Sequence, residues 1–250
     1  MANRMDFTGK TILLDGASSG MGAASAKLLS ELGAKVIIIA RREDKLKEVL
    51  ASLKGEGHAY YAYDLGNVEG IEALVKQIVE EHGPMDGFVH SAGLGVARPL
   101  KLSTYEFMQS VFNVNYFSFV EMIRCLTKRG ACNEGFSIVG ISSSAAVRGG
   151  KAHTAYASSK SAMDMTVQVL AKELGLKGYR INSILPGYID TDIGRASIES
   201  DPKRLEGVLK SQVLGVGYAE DIADAVAFLL SDMARIVSGE RMYVDGAYLA

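Results

Sequence analysis

Proline and cysteine are scarce in this chain, with four and two among 250 residues. Cys125 and Cys132 lie close together and read as reduced thiols rather than a disulfide, the usual state in a cytoplasmic protein. With so few prolines and no shift in composition, nothing reads as a linker, and residues 1–250 are expected to form one domain. Long apolar runs are missing too. Val36 to Ala40 is among the longest, far short of the roughly 20 residues of a membrane span. Met1-Ala-Asn-Arg-Met-Asp lacks the apolar core of a signal peptide, so the expected location is the cytoplasm. No charge of one sign dominates: 27 basic residues face 29 acidic ones, a formal net charge of −2 without a basic stripe. Neither nucleic acid nor membrane is therefore an expected partner, and no metal-ligand set stands out.

Apolar runs alternate with amphipathic stretches along the chain. Strands are expected at about 10–15, 35–39, 58–63, 86–90, 136–142, 179–185 and 241–244, and helices at about 20–32, 43–54, 68–82, 104–129, 155–176 and 219–231. This pattern predicts an α/β fold, a doubly wound parallel sheet of seven strands with helices on both faces. Ligands of such sheets lie beyond the carboxyl ends of the strands. The first of those ends is followed by Gly16-Ala-Ser18-Ser19-Gly20-Met21-Gly22, a tight turn between an apolar strand and an Ala-rich helix. Its glycines let backbone amides approach a ligand and present a helix N-terminus to a pyrophosphate. A plain strand-to-helix turn uses glycine as well, so the loop alone does not decide the reading.

Tyr156 and Lys160 are four apart on an expected helix and share a face. A tyrosine that titrates near ~10 must drop about two to three units, roughly 3–4 kcal/mol, to exchange protons near neutrality. One cation about 4 Å away at an effective dielectric of about 20 supplies that much. The plain alternative, a solvated surface pair, is common for such spacing.

Taken together, these motifs resemble the short-chain dehydrogenase/reductase family in its short single-domain branch, over about Phe7 to Tyr248. Asp64, Ser91-Ala92-Gly93, Asn115, Ile141-Ser142-Ser143, Asn182 to Thr191 through Pro186-Gly187, and Val244-Asp245-Gly246 match in order. The resemblance implies an oxidoreductase moving a hydride between a nicotinamide and a carbonyl or secondary alcohol. Its catalytic residues would be Tyr156 as acid/base, Lys160, which also binds the nicotinamide ribose, Ser143 on the substrate oxygen, and Asn115 holding a water in a relay to the lysine. The spacing to Tyr156 selects Ser143 over Ser142 and Ser144 only by that resemblance. Asn115 is preferred to Asn113. Cofactor contacts would come from Gly16, Ser18, Ser19, Gly20, Met21, Gly22, Asp64, Leu65, Ser91, Ala92, Gly93, Tyr156, Lys160, Pro186, Gly187, Ile189 and Thr191, with Asp64 open to a simpler role as a helix N-cap.

The second strand ends in Arg41-Arg42, two guanidiniums where an acid usually reads the ribose of NAD(H). They favour NADP(H) over NAD(H), while Glu43 keeps NAD open. Residues 192–217, with Ile193, Ile198, Leu205, Val208 and Leu209, correspond to a mobile substrate lid. The substrate expected first is a 3-oxoacyl thioester, similar to that of the 3-oxoacyl-acyl-carrier-protein reductases. For an acidic carrier protein the chain offers only Arg124, Lys128 and Arg129. The alternatives are a steroid, a sugar or another small secondary alcohol, and, remotely, a non-catalytic NADPH-binding regulator. Apolar residues on more than one face of the helices carrying Asn115 and Tyr156 point to a homotetramer, with a homodimer next. His153 either lines the substrate pocket or is a solvated loop residue, and His58 and His82 read as surface residues. Two departures from the family pattern remain: Asp15 where threonine is usual before Gly16, and His90 where asparagine is usual before Ser91. Neighbouring strands would let the two pair, carboxylate against imidazole.

Overall fold

The computed structural model describes residues 4–192, 194–195 and 202–250. Ile193 and Ile198 of the expected lid lie outside them. Among the described residues seven strands form one parallel sheet: β1 (Thr11–Asp15), β2 (Lys35–Ala40), β3 (Ala59–Ala62), β4 (Met85–His90), β5 (Cys132–Ile141), β6 (Arg180–Pro186) and β7 (Arg241–Val244). Their order is β3-β2-β1-β4-β5-β6-β7. The chain reverses its direction of travel between β1 and β4, which opens a crevice at their carboxyl ends.

Strand side chains alternate between two cores, as period-two geometry requires. Ile12, Leu14, Val36, Ile38, Val89 and Val139 pack with Leu29 of helix α1 (Gly20–Glu31) and Ile222, Val226 and Leu229 of a helix at Ala219–Leu230. Leu13, Ile37, Ile39, Phe88 and Ile138 face the other way, onto three helices. These are α3 (Ile71–His82), α5 (Ser118–Leu126) and α6 (Thr154–Gly175). Burying an aromatic such as Phe119 in that layer contributes about 2–3 kcal/mol. At Gly140 a Cβ would lie 3.1 Å from Met163 Sδ and 3.3 Å from Phe119, so the missing side chain lets α5 and α6 sit close to β5. Further helices among the described residues are α2 (Glu43–Ser52), α4 (Tyr105–Phe112), α7 (Pro202–Ser211) and α8, the helix at Ala219–Leu230.

Three expectations need correction. The helix expected at 104–129 is α4, then a π turn at Asn113–Phe117, then α5, which ends at Leu126. Fully buried Asn115 sits in that wide turn, where the shifted backbone pattern re-aims a side chain without ending the helix. β5 begins at Cys132 rather than 136, with a register shift against β4 and Gly135 at φ +75°. His58 and His82 are half-buried rather than surface residues. His58 Nδ1 accepts from Val36 N at 2.9 Å, and its Nε2 lies 2.8 Å from Lys54 O, while His82 Nε2 meets the Tyr61 hydroxyl at 2.9 Å. No helix among the described residues is long and apolar enough to cross a membrane.

Candidate active site

The glycine turn is built for close approach. Gly16 has φ +64°, and a Cβ there would run into the backbone nitrogen of Ala92. Gly20 has φ +54°, and a Cβ on Gly22 would stand 2.5 Å from Gly16 O. Ser19, the N-cap of α1, makes no side-chain cap bond; instead its hydroxyl and that of Ser18 accept from Arg42 Nη2 at 2.8 and 3.0 Å. Above the turn lies a cleft of about 590 Å³ lined by Gly16, Ser19, Gly20, Met21, Arg41, Arg42, Asp64, Leu65, Ser91, Ala92, Gly93 and Thr191. Gly22 and Ser18 are not in its wall; they support it. Asp64 closes a local turn by accepting from Gly66 N at 2.9 Å and caps no helix. A tight amide-lined turn beside two guanidiniums fits a dinucleotide, whose bound form would donate or accept the hydride.

Asp15 and His90 meet as their neighbouring strands suggested. His90 Nδ1 lies 2.6 Å from Asp15 Oδ2, and both side chains are fully buried. The other carboxylate oxygen accepts from Ser91 N and Ala92 N, each at 2.9 Å. Asp15 thus fixes the turn leaving β4 directly against the glycine turn leaving β1.

A second cavity of about 480 Å³ adjoins the first, and Met21, Ser91, Gly93, Gly95, His153 and Thr191 line both. Ser143, Tyr156, Lys160, Pro186, Gly187 and Ile189 face it. Ser143 has extended backbone and accepts from Ala145 N at 3.1 Å, so the turn after β5 holds its hydroxyl in place. Ser142 and Ser144 also line the cavity, Ser142 almost wholly buried at its base. Lys160 Nζ donates to Ile141 O at 2.6 Å, and the side chain is almost wholly buried. Burial pushes its pKa down to about 8, opposed by the carboxylates of Asp164 and then Asp15. Asp164, one turn further along α6, is raised by its own burial, which outweighs Ser142, Ser183, Arg241 and Lys160.

Asn115 is fully committed to protein groups. Its Oδ1 accepts from Leu94 N at 2.7 Å, and its Nδ2 donates to Ser159 Oγ at 3.0 Å and to Leu94 O at 3.3 Å. Ser159 Oγ in turn donates to Tyr156 O at 2.7 Å. The π turn is thereby tied to the backbone carrying the tyrosine. Asn113 instead reaches Gly66 O and Gln109, away from this cluster. His153 stands edge-on to Tyr156 with ring centroids 6.2 Å apart.

The comparisons agree with this geometry. Residues 16–248 match the family model described as enoyl-(acyl carrier protein) reductase. The chain belongs to the short-chain dehydrogenase/reductase family. It is 32% identical to an L-xylulose reductase of Caenorhabditis elegans over 99% of both chains. It is 30% identical to a 3-oxoacyl-[acyl-carrier-protein] reductase of Vibrio cholerae over 97% of this chain and 98% of that one. A short chain dehydrogenase from Burkholderia cenocepacia, solved in complex with NADP, superposes with a TM-score of 0.91 at 29% identity, covering 99% of this chain and 100% of the other. This short-chain dehydrogenase/reductase is therefore an oxidoreductase acting on CH–OH groups with a nicotinamide cofactor.

Four residues of the site escaped the sequence reading. Gln212, buried at the end of α7, accepts from Tyr188 N at 2.7 Å and donates to Tyr188 O and Gly215 O at 3.0 and 2.7 Å. It clamps the turn after β6 from within the segment expected to be a mobile lid. Arg148 and Tyr248 stack at 5.2 Å in the wall of the second cavity, with Tyr188 beside them. Gln212 and Arg148 sit in stretches with no motif to mark them, and Tyr188 and Tyr248 lie in or beside matched motifs that carried no sign of a role on this side of the cleft.

Proposed function

We propose that this enzyme is an NADP(H)-dependent reductase of small polyhydroxylated ketones that also oxidises the corresponding secondary alcohols. The observation that carries the reading is the wall of the second cavity, where Ser143, Ser144, Tyr188, Tyr248, Arg148 and His153 offer hydrogen bonds around Tyr156. A site lined this way favours a hydroxylated substrate, because a purely apolar one leaves its polar groups unpaired. The L-xylulose reductase relative fits this substrate class. A 3-oxoacyl group on an acidic carrier protein fits less well. Arg124 and Lys128, two of the three cations considered for docking, are already engaged by Glu72, each at 2.5 Å.

In this reading Tyr156 donates a proton to the carbonyl oxygen as hydride reaches the carbon. Ser143 hydrogen-bonds the same oxygen, and the Lys160 ammonium lowers the cost of the phenolate left behind. Asn115 serves the relay by fixing Leu94 and, through Ser159, the backbone of Tyr156. Arg41 and Arg42 bind the 2′-phosphate of NADP(H). The chain works as one domain. Exposed Tyr105, Phe117, Met165 and Val169 support a homotetramer through the helices that carry them, and free Cys125 and Cys132 suit the cytoplasm.

The test is turnover with NADPH on ketoses against an acetoacetyl thioester. A kcat/KM at least about tenfold higher for a ketose is expected, and the reverse order would return the thioester to first place. Tyr156→Phe should lose more than about 90% of kcat, over ~1.4 kcal/mol of barrier, and keep cofactor affinity. Turnover retained above that level would remove the tyrosine from the acid–base role.

A further inference from the structure

The buried pair joining β1 to β4 is asymmetric. Asp15 is fully satisfied, with His90 Nδ1 at one oxygen and the Ser91 and Ala92 amides at the other. His90 is not. Its Nε2 is buried without a hydrogen-bond partner, and the ring lies 5.2 Å from Phe119 and 6.3 Å from Phe88, centroid to centroid. An imidazolium there would bury a charged N–H with no acceptor, whereas a neutral ring protonated on Nδ1 strands only a lone pair. The pair therefore carries one negative charge, on Asp15, in the interior. The turn that Asp15 holds continues to Gly93, where a Cβ would stand 3.5 Å from Lys160 Nζ and 3.7 Å from Asn115 Oδ1.

We propose that Asp15 and His90 form a positioning pair for the proton-transfer step: a fixed buried anion that seats the turn after β4 against Lys160 and keeps that side chain an ammonium during turnover. The inference rests on the acid–base reading of Tyr156 and Lys160. The titratable groups around Lys160 are Tyr156 and Asp164 on its own helix, and Asp15 from β1 with His90 from β4 behind it; Arg241 of β7 acts on Asp164. Removing a nearby anion makes an ammonium release its proton at lower pH. Asp15 adds to Asp164 in opposing the loss of that proton. The Thr–Asn combination to which the family resemblance points at these two positions would hold the turn without supplying a charge.

The decisive variant is Asp15→Asn, whose side-chain oxygen still accepts from Ser91 N and Ala92 N while the charge is gone. The pH profile of kcat/KM for carbonyl reduction should keep its shape, with the alkaline limb moved down by about one unit. The Kd for NADPH, read by fluorescence titration, should change less than about threefold. An alkaline limb displaced by less than about 0.2 unit would overturn the proposal. If Asp15→Asn fails to fold, the double variant Asp15→Thr/His90→Asn must give the same downward shift, and an unshifted limb there is equally fatal. Nitrogen-15 spectra of the wild-type protein should show His90 neutral and protonated on Nδ1; an imidazolium at neutral pH would contradict the assigned charge. An unmoved limb in an enzyme that Tyr156→Phe inactivates refutes the pair alone. An active Tyr156→Phe refutes the acid–base reading beneath it.

Discussion

Replacing Arg42 with alanine tests the cofactor preference more sharply than replacing Arg41, because the two guanidiniums are held differently. Arg42 Nη2 rests on the hydroxyls of Ser18 and Ser19 at 3.0 and 2.8 Å, so little side-chain freedom is left to lose when a phosphate binds. Arg41 is exposed, and no hydrogen bond or ion pair fixes it among the described residues. A charge-assisted hydrogen bond to phosphate is worth about 1.5–3 kcal/mol. About 2 kcal/mol for the pre-positioned Arg42 corresponds to a roughly 30-fold loss of NADPH affinity, and about 1 kcal/mol for the mobile Arg41 to roughly fivefold. NADH has no 2′-phosphate, and the freed serine hydroxyls at the cleft can turn to water. Its affinity should change less than about twofold. Titrating each variant with both nucleotides by fluorescence measures the four constants. An equal loss for NADPH and NADH in Arg42→Ala would show that the residue shapes the glycine turn instead of reading the phosphate.

Three further outcomes follow from the geometry. Gly16→Ala forces a Cβ onto the Ala92 backbone from a positive φ and should cost about 2–4 kcal/mol in urea unfolding; Gly175→Ala, which meets open space, is the control and should cost nothing. Burial lowers the Lys160 pKa to about 8, against the pull of Asp164 and Asp15, so its ammonium is present below that pH and lost above it. The kcat/KM for reduction should therefore fall about tenfold per unit on the alkaline side, and a profile flat to about pH 10 would contradict the assignment. Gln212→Ala removes its bonds to Tyr188 N, Tyr188 O and Gly215 O, while Tyr188 O keeps Gly217 N; a loss of about 2 kcal/mol in stability and a raised substrate KM are expected, checked by urea melts and steady-state kinetics.

The sheet was legible because each strand is an apolar run between turn residues, and the order of those runs dictates the parallel winding. The clefts were legible where a motif sits at a strand end, as at Gly16 to Gly22 and Ser91 to Gly93. The π turn was not, since Asn113-Val-Asn115-Tyr-Phe continues the helical spacing of the residues before it. The widened backbone shows only in the structure, where it carries Asn115 into the interior. Gln212 and Tyr248 were equally silent: their roles depend on contacts with Tyr188 and Arg148, 24 and 100 residues away. The pairing of Asp15 with His90 was readable, because two unusual polar residues at adjoining strand ends had few other ways to be satisfied.

Asp245 accepts from Ala247 N at 3.1 Å and from Leu249 N at 3.0 Å. That knot turns the last residues back so that Tyr248 closes the substrate wall against Arg148. One part of the substrate wall is thus written in a stretch of sequence apart from Tyr156 and Lys160. A short cassette after Asp245, exchanged as a unit together with position 148, offers a way to retune which ketone is accepted while Tyr156, Lys160 and the nucleotide cleft are left untouched.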